Sequence, residues 1–398
     1  MNDPRVNTDY NELSDEEFRR RFREFLAAHY PPELRQDPRR PFFRLRGAAE
    51  KEWLQTLYRH GWRAPAWPKE FGGMGLSFGK QLIYNEELAR AATARVVDNS
   101  ETMLGPTLIQ FGTEEQKAYY LPRILSCEDM WAQGYSEPGA GSDLAALRTQ
   151  AVRDGDDFIV NGQKIWTTMA MDRTHIFTLV RTSKLPKKQQ GISFLLIDLK
   201  APGVTIRPIY NISGEDEFCE VFFDNVRVPA KNLVGEVDRG WTIAKALLGH
   251  ERIWIGSPAL AIKALEVAKL IVAETGQDQD PGVMDQLAAL SADLHDYLLL
   301  YAEMCAIVKE TEEPGPEVSV LKVFISELLQ RITEFNVEIG QEYGGIVGDA
   351  VIGGTTFDLH WPMMMARPTT IFAGANEVQR DILAKAVLKM PSEPRPGR

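Results

Sequence analysis

The spacing of hydrophobic and polar positions changes twice along the chain. Up to about residue 128, apolar residues recur with the period of a helix, and Ser14 with Glu17 and Thr113 with Gln116 have the spacing of helix-capping pairs. From about residue 130 to 228, short runs rich in Val, Ile, Phe and Thr are separated by turn residues, which is typical of a small β-barrel or sandwich. After about residue 235 the helical period returns in long segments, which predicts an antiparallel bundle.

These patterns predict a multidomain α+β protein with three domains. We expect an N-terminal α-helical domain at residues 1–128, a middle β-barrel or sandwich domain at 129–235 and a C-terminal four-helix bundle at 236–398. Asn161 and Gly162 stand between β-forming residues and predict a two-residue hairpin turn, because both residue types tolerate positive φ. In the bundle we expect helices at about 240–275, 282–312, 316–342 and 375–389, with a kink at Pro258.

Composition and charge exclude several classes of protein. Forty-five Lys and Arg residues against 56 Asp and Glu residues give a net charge of -11, which disfavours a nucleic acid or an anionic membrane as partner. The three cysteines are far apart and odd in number, which favours a reducing compartment. The first residues are polar and acidic, unlike a secretion signal, and no apolar run approaches the roughly 18–20 residues of a membrane span. We therefore expect a cytoplasmic protein that does not span a membrane.

Three familiar motifs are absent or lack their structural context. Residues 75–79 match the GxSxG pattern of serine hydrolases, but the preceding PKEFGGMG is not the apolar strand that this motif needs. The six His residues show no metal-ligand spacing, so we expect no metal site. No GxGxxG follows a strand and opens a helix, which argues against a nicotinamide cofactor.

Two segments of the middle region carry the chemical signal. GYSEPGAGSDLA, at residues 134–145, is a glycine-rich turn flanked by hydroxyls, and such a turn lets a pyrophosphate approach backbone N–H groups closely. NGQKIWTT, at residues 161–168, places Trp166 and Thr168 two positions apart on a strand and therefore on one face. An indole beside a hydroxyl can stack on a flat heteroaromatic ring and hydrogen-bond its edge. Together the two segments favour a flavin.

At these residues the sequence resembles the acyl-CoA dehydrogenase family, and the likeness covers nearly the whole chain. Further matching stretches are GWRAPAWPKEFGG, FGTEEQKAYYLPRIL, VGEVDRGWTIAKALLGHER, QEYGG and IFAGANEVQR. The resemblance implies FAD as cofactor, a tetramer of three-domain subunits, and oxidation of an acyl-CoA thioester to its trans-2-enoyl form. It also implies an electron-transfer flavoprotein as the partner that receives the electrons.

The resemblance assigns roles to individual cofactor-binding residues. Tyr135 and Ser136 are expected along the flavin ring, Gly141 and Ser142 at the cofactor with Ser142 at its pyrophosphate. Trp166 is expected against the ring face away from the substrate, and Thr168 at the N5 edge. The QEYGG residues expected to reach the cofactor of a neighbouring subunit are Gln341, Gly344 and Gly345.

The catalytic base is not where many family members carry it. Those members place a Glu directly before the Gly of the last motif, where this sequence has Ala373 before Gly374. The isovaleryl-CoA and long-chain type instead carries the Glu on the first bundle helix, directly before an Arg, and Glu251 and Arg252 match that arrangement. We therefore expect Glu251 to take the α-proton while flavin N5 takes the β-hydride, with Arg252, Ala373 and Gly374 at the substrate. A solvated, non-catalytic Glu251 is the alternative.

The sequence departs from the family pattern in ways that leave alternatives open. The region ETGQDQDPGVMDQLA lacks the Arg that meets a neighbouring subunit's FAD, and Ala375 replaces a common Thr. These changes keep open a homotetramer or a heterotetramer with a related subunit, including a catalytically partial subunit. An acyl-CoA oxidase, or a desulfinase or nitroalkane-type enzyme of the same fold, is a further alternative. Ala373 changes the pocket near the α-carbon, which favours branched or bulky acyl groups.

Overall fold

The computed structural model describes residues 8–36, 43–250, 252–311 and 314–391, and these form two compact units. The first unit contains the described residues up to Arg35 and those from Arg44 to Gly249. The second contains Gln36, Phe43 and the described residues from His250 onward. Each unit has its own helices and its own buried apolar side chains. The domain boundaries predicted after residues 128 and 235 stay predictions.

The first unit begins with five α-helices. Ser14 caps the first of them by accepting a hydrogen bond from the Glu17 N–H, and Thr113 and Gln116 form a complete capping box at the fifth. The apolar faces of the first three helices bury Phe18, Phe22 and Trp62 in one aromatic core. The predicted N-terminal helical region is therefore confirmed. Its helices are α1 (Asp15–His29), α2 (Gly47–Arg59), α3 (Phe78–Arg90), α4 (Gly105–Phe111) and α5 (Glu114–Leu125).

An eight-stranded sheet follows the helices, which confirms the β character of the middle region. Its strands are β1 (Trp131–Gly134), β2 (Gln150–Asp154), β3 (Asp157–Thr168), β4 (His175–Arg181), β5 (Ile192–Asp198), β6 (Val204–Ile209), β7 (Phe218–Pro229) and β8 (Leu233–Val234). They lie in the order β6-β7-β3-β2-β4-β5-β8, with β1 parallel to β4. Side chains of β3 and β7, such as Phe158 and Val221, share one core with Ile176 of β4 and Leu195 of β5. The two halves of the sheet thus enclose a common interior.

The hairpin predicted at Asn161–Gly162 is wrong. The chain turns instead at Gly155–Asp156, between β2 and β3, and β3 runs on through Asn161 and Gly162 with a shift of register against β7. Glycine is required at position 162 because the backbone of Thr149 lies close to it, and a Cβ there would be 2.7 Å from the Thr149 Cα. An Asn-Gly pair fits both a turn and a bulge, so the local sequence could not distinguish them.

The first unit ends at Gly249, inside α6 (Gly240–His250), and Ile243, Ala244 and Leu247 of this helix pack in the core that contains Trp131 and Phe177. This helix begins the segment for which one helix over residues 240–275 was predicted.

The second unit is a helical bundle with α10 (Ser319–Ile339) at its centre. Its helices are α7 (Arg252–Ile255), α8 (Ala259–Thr275), α9 (Pro281–Thr311), α10 (Ser319–Ile339), α11 (His360–Ala366) and α12 (Asn376–Ile382). α10 packs against α8, α9, α11 and α12, so the predicted C-terminal bundle is confirmed. The predicted helix is fully interrupted before Pro258, since α7 ends at Ile255 and α8 begins at Ala259. A hairpin of β9 (Asp349–Ile352) and β10 (Thr355–Asp358) was not predicted. Among the described residues, no helix has the length and hydrophobicity needed to cross a membrane.

Candidate active site

The two motifs of the middle region lie side by side in the first unit. The Ile165 N–H of β3 donates a hydrogen bond of 2.9 Å to the Ser136 carbonyl, which joins the NGQKIWTT strand to the SEPGAGSD turn. Tyr135 is buried with its ring edge-on to Phe177 and Phe194, so packing fixes the start of the turn. The structure therefore brings Tyr135 and Ser136 next to the strand that carries Trp166.

Trp166 sits in a β-bulge that turns its side chain outward. Lys164 pairs with Val221 and Thr167 with Cys219, so Ile165 and Trp166 together face a single residue of β7. Trp166 has a φ of 61° and is 55% exposed, with its ring edge-on to Phe218 at 6.0 Å. An indole this exposed presents a flat apolar surface on which a heteroaromatic ring can stack.

Thr168 lies on the same side of β3 as Trp166. Thr167 between them is buried, whereas Thr168 is half-buried. Successive side chains therefore still point to opposite faces of the strand across this stretch, in spite of the bulge. Thr168 is the last residue of β3 and pairs with Phe218 at the start of β7. The indole and the hydroxyl are thus both at one end of the β3–β7 pair, as stacking and edge recognition of one ring would require.

The glycine-rich turn is tight, and its outer part is exposed. Glu137 and Ala140 exchange two backbone hydrogen bonds of 3.0 Å, which closes the turn. A Cβ placed on Gly141 would meet no atom within 4 Å, so packing within the protein does not require glycine at this position. Gly141 and Ser142 are both exposed. A small residue without a packing reason, next to an exposed hydroxyl, leaves room for a ligand to approach the backbone.

A buried ion pair connects the two motifs. The Glu137 carboxylate accepts hydrogen bonds from the Arg148 N–H at 2.6 Å, the Thr149 N–H at 3.0 Å and Lys164 Nζ at 2.8 Å. Lys164 Nζ also donates to the Tyr135 carbonyl at 3.2 Å. Burial raises the pKa of Glu137, but the Lys164 charge and the hydrogen bonds outweigh it and hold that pKa below its ordinary value. Burial lowers the pKa of Lys164 to about 8 in spite of Glu137.

In the second unit, the QEYGG segment forms a short turn after α10. Gly344 is buried, and a Cβ there would lie 2.1 Å from the Val337 carbonyl oxygen, so only glycine fits. His360 Nε2 donates a hydrogen bond to the Gly344 carbonyl and holds the turn against α11. Gly345 and Gln341 are exposed, and a Cβ on Gly345 would meet nothing within 4 Å. The turn is therefore rigid at Gly344 and open at Gly345.

The expected substrate residues of the last motif form a second turn in this unit. Ala373 and Gly374 both have positive φ, 53° and 84°, which is unusual for Ala. Gln379 of α12 donates from Nε2 to the Ala373 carbonyl at 3.2 Å and to the Gly374 carbonyl at 3.4 Å. The expected base, Glu251, lies outside the described residues, and Arg252 is the first residue of α7.

Comparison with known families assigns most of the chain. Models of the acyl-CoA dehydrogenase N-terminal, middle and C-terminal domains match residues 13–128, 132–226 and 238–388. The chain belongs to the acyl-CoA dehydrogenase family. This acyl-CoA dehydrogenase is therefore an oxidoreductase of a flavoprotein family that uses FAD.

Individual relatives of this acyl-CoA dehydrogenase are similar over most of their length. Acyl-CoA dehydrogenase IpdE1 of Mycobacterium tuberculosis is 38% identical over 351 residues, which cover 86% of this chain and 88% of that protein. The solved Tcur3481-Tcur3483 steroid ACAD has a TM-score of 0.82 and 32% identity, over 95% of this chain and 98% of that one. The ChsE4-ChsE5 complex from Mycobacterium tuberculosis has a TM-score of 0.80 and 34% identity, with coverage of 95% and 98%.

Sequence reasoning missed three polar side chains that hold these elements of the dehydrogenase. Glu137 and Lys164 lie inside the two quoted motifs and pair with each other, whereas Gln379 lies in the last motif and donates to backbone carbonyls. A Glu or a Lys within an apolar or glycine-rich motif could have indicated a buried ion pair, because these residue types are seldom buried unless they are paired. Nothing local indicated which carbonyls Gln379 would bind.

Proposed function

We propose that this acyl-CoA dehydrogenase binds FAD and oxidises a bulky acyl-CoA thioester to its trans-2-enoyl form. The observation that carries the proposal is the exposed Trp166 indole on a strand whose preceding residue, Ile165, donates a backbone hydrogen bond to Ser136 of the SEPGAGSD turn. Such an aromatic surface beside a glycine-rich turn suits a ligand that combines a flat heteroaromatic ring with a pyrophosphate.

The residues present fit FAD. Trp166 and Thr168 would contact the ring, and Tyr135 and Ser136 would lie along it. Gly141 and Ser142 would face the pyrophosphate, where the open space at Gly141 admits a phosphate oxygen. Gln341, Gly344 and Gly345 would meet the cofactor of a neighbouring subunit, through the exposed end of the QEYGG turn.

The chain's own catalytic work is proton removal and carbonyl polarisation. An α-proton of a thioester is far too weakly acidic for a carboxylate in water, so the carbonyl must be polarised while a desolvated base contacts the carbon. Glu251 is the proposed base, and Arg252 is proposed beside the substrate. The backbone N–H of Ala373 is proposed to donate to the thioester carbonyl, a role that does not depend on its side chain. Bound FAD supplies the two-electron acceptor for the hydride that leaves the β-carbon.

A polycyclic or branched acyl group is the proposed substrate class. The small Ala373 stands where many family members carry a Glu, which leaves space next to the proposed carbonyl contact. One structural relative, at 32% identity, is a steroid ACAD. We expect turnover with a steroid side-chain CoA thioester or cyclohexane-1-carbonyl-CoA to exceed turnover with octanoyl-CoA. A strong preference for octanoyl-CoA would contradict this substrate class.

A heteromeric assembly is the second candidate, and a specific observation favours it. The chain from the end of α8 to the start of α9 reads ETGQDQDPG and lacks the Arg expected to meet a neighbour's FAD. A relative at 34% identity is a two-protein complex, ChsE4-ChsE5. In this version the chain would complete the active site of a related subunit as well as its own. An electron-transfer flavoprotein is the proposed electron acceptor in either case.

Purification of the chain alone, followed by measurement of FAD per subunit and of activity with an artificial electron acceptor, tests the proposal. One FAD per subunit with acyl-CoA oxidation supports the homomeric enzyme. Activity that appears only when a related subunit is co-expressed supports the heteromer. FAD-loaded protein that oxidises no acyl-CoA thioester, with or without such a subunit, would contradict the proposed function. Rapid reoxidation of the substrate-reduced enzyme by air would instead favour an oxidase.

A further inference from the structure

The turn at Ala373–Gly374 has a conformation that needs an external constraint. Both residues have positive φ, and alanine reaches that region only against the clash of its Cβ with the backbone. Gly374 is the residue that tolerates it, but Ala373 carries the strain. Strained non-glycine residues of this kind persist where the surrounding structure over-determines them, and they cluster at functional sites.

Gln379 provides that constraint from the neighbouring helix. Its side chain is only 5% exposed, and its Nε2 donates to the carbonyls of both strained residues, at 3.2 and 3.4 Å. The fit is close, because a Cβ on Gly374 would lie 2.5 Å from Gln379 Nε2. With both carbonyl oxygens tied to one amide, the peptide planes on either side of Gly374 cannot rotate independently.

The helix that carries Gln379 is itself held to α10 by a buried hydrogen bond and by an exposed ion pair. Asn376, three residues earlier on α12, accepts a hydrogen bond of 2.7 Å from Lys322 Nζ and donates one of 3.0 Å to Glu327. Arg380, directly after Gln379, pairs with both oxygens of Glu327 at 2.7 and 2.9 Å. Bonds on both sides of Gln379 therefore prevent α12 from sliding or rotating on α10.

A glutamine at position 379 would be energetically unfavourable if packing were its only role. Its Oε1 is buried and has no hydrogen-bond partner among the described residues. Burial of an amide with an unsatisfied oxygen is unfavourable, and a Met side chain would fill similar volume without that cost. The two bonds to the strained carbonyls are what the amide gains in return.

We propose that Gln379 is a positioning residue for thioester activation. Its amide fixes the two peptide planes that follow Ala373, which holds Ala373 at its strained φ and so directs the Ala373 N–H, in the preceding peptide, at the substrate carbonyl. This inference rests on the proposed function, in which that N–H polarises the thioester. Gln379 acts through the turn and does not itself touch the substrate.

The test compares Gln379→Met with a matched control in the FAD-loaded enzyme. Asn336 of α10 is also a buried amide that donates to a backbone carbonyl, that of Ala264 at 2.9 Å, and its Oδ1 also has no partner among the described residues. We expect Gln379→Met to lower kcat on the order of 10²-fold with KM little changed, because a misdirected N–H donor weakens the hydrogen bond to the carbonyl mainly in the transition state. Asn336→Leu is expected to lower the Tm as much as Gln379→Met does and to leave kcat near the wild-type value.

Gln379→Glu provides a second readout that holds even where the Met variant folds poorly. A protonated carboxyl can donate one hydrogen bond to the turn, whereas a carboxylate can donate none and repels both carbonyls. The kcat of Gln379→Glu relative to wild type is therefore expected to rise as the pH falls. A purely structural role predicts no such trend in the ratio.

The outcomes separate this inference from the function on which it rests. A wild type that oxidises no acyl-CoA thioester would overturn both. An active wild type with an equally active Gln379→Met, an equal loss of kcat in Asn336→Leu, or a pH-independent ratio for Gln379→Glu would overturn the positioning role alone.

Discussion

Replacement of Lys164 by Met is expected to destabilise the first unit and to weaken FAD binding. Met keeps most of the side-chain volume but leaves the Glu137 carboxylate buried with only the Arg148 and Thr149 N–H groups as donors. Removal of one partner from a buried ion pair typically costs about 3–5 kcal/mol. Because Glu137 and Lys164 tie the turn to β3, the loss should also loosen the surface that carries Ser136 and Trp166.

The protonation equilibrium of Glu137 limits one part of this cost, the part that comes from leaving its charge buried without Lys164. At worst the isolated carboxyl takes up a proton, and doing so at pH 7 with an ordinary pKa of 4.5 costs about 3.4 kcal/mol. The two remaining N–H donors reduce this figure. The pKa of Glu137 in the folded variant would lie above its unfolded value, so the variant loses stability as the pH rises above 4.5. The deficit relative to wild type is therefore expected to be larger at pH 8 than at pH 5.5.

Urea unfolding of wild type and variant at both pH values, with FAD content and FAD affinity measured in parallel, checks this prediction. Lys188→Met is the matched control, because Lys188 pairs at 2.8 Å with Asp143 of the SEPGAGSD turn but both side chains are exposed. Little or no loss of stability is expected from it. The double variant Glu137→Gln/Lys164→Met should be more stable than Lys164→Met alone at pH 7, because no buried charge is left. Wild-type stability and FAD affinity in Lys164→Met would refute the reasoning.

Two further predictions concern the N-terminal helices. Gly105→Ala should destabilise the protein by about 3 kcal/mol in urea unfolding, because the added Cβ would lie 1.7 Å from the buried Trp67 ring. Gly155→Ala is the control: its Cβ would enter open space and only the positive φ is strained, so it should cost less. An equal loss of stability in both variants would contradict the packing argument. Burial raises the pKa of Glu87, but hydrogen bonds from Arg23, Arg90 and Arg19 outweigh it and lower the pKa to about 2. Glu87→Gln should therefore be less stable than wild type at pH 7, and the difference in their free energies of unfolding should narrow as the pH falls from 4.5 towards 2. A difference that stays constant over this range would show that the ion pairs of Glu87 contribute nothing to stability.

Features governed by local sequence were predictable. The Thr113–Gln116 capping box needs only residues three apart, and the helical and β periods each report a buried face that neighbouring residues create. The glycine at 162 shows the limit of such reasoning. Glycine is needed there because Thr149, the residue before the adjacent strand β2, approaches it closely. An Asn-Gly pair has the same local sequence whether it forms a turn or lies at such a close approach.

Polar contacts between distant residues could not be predicted. Lys164 and Glu137 are 27 residues apart, and Lys322 and Asn376 are 54 apart, so only the fold decides that they meet. The β9–β10 hairpin was missed for a different reason. Its strands are four residues each and lie among glycines, so the hydrophobic alternation is too short to stand out from a loop. The roles of Glu251 and of the cofactor-binding residues came from family resemblance and stay predictions.

The central claim is that Glu251 removes the α-proton of an acyl-CoA thioester in an enzyme that holds FAD against Trp166. The most direct test is anaerobic mixing of FAD-loaded wild type and Glu251→Gln with a steroid side-chain CoA thioester, followed by the visible absorbance of the flavin. We expect the wild type to bleach within a turnover and the variant, with equal FAD content, to bind the thioester without bleaching. Bleaching of Glu251→Gln at the wild-type rate would contradict the claim.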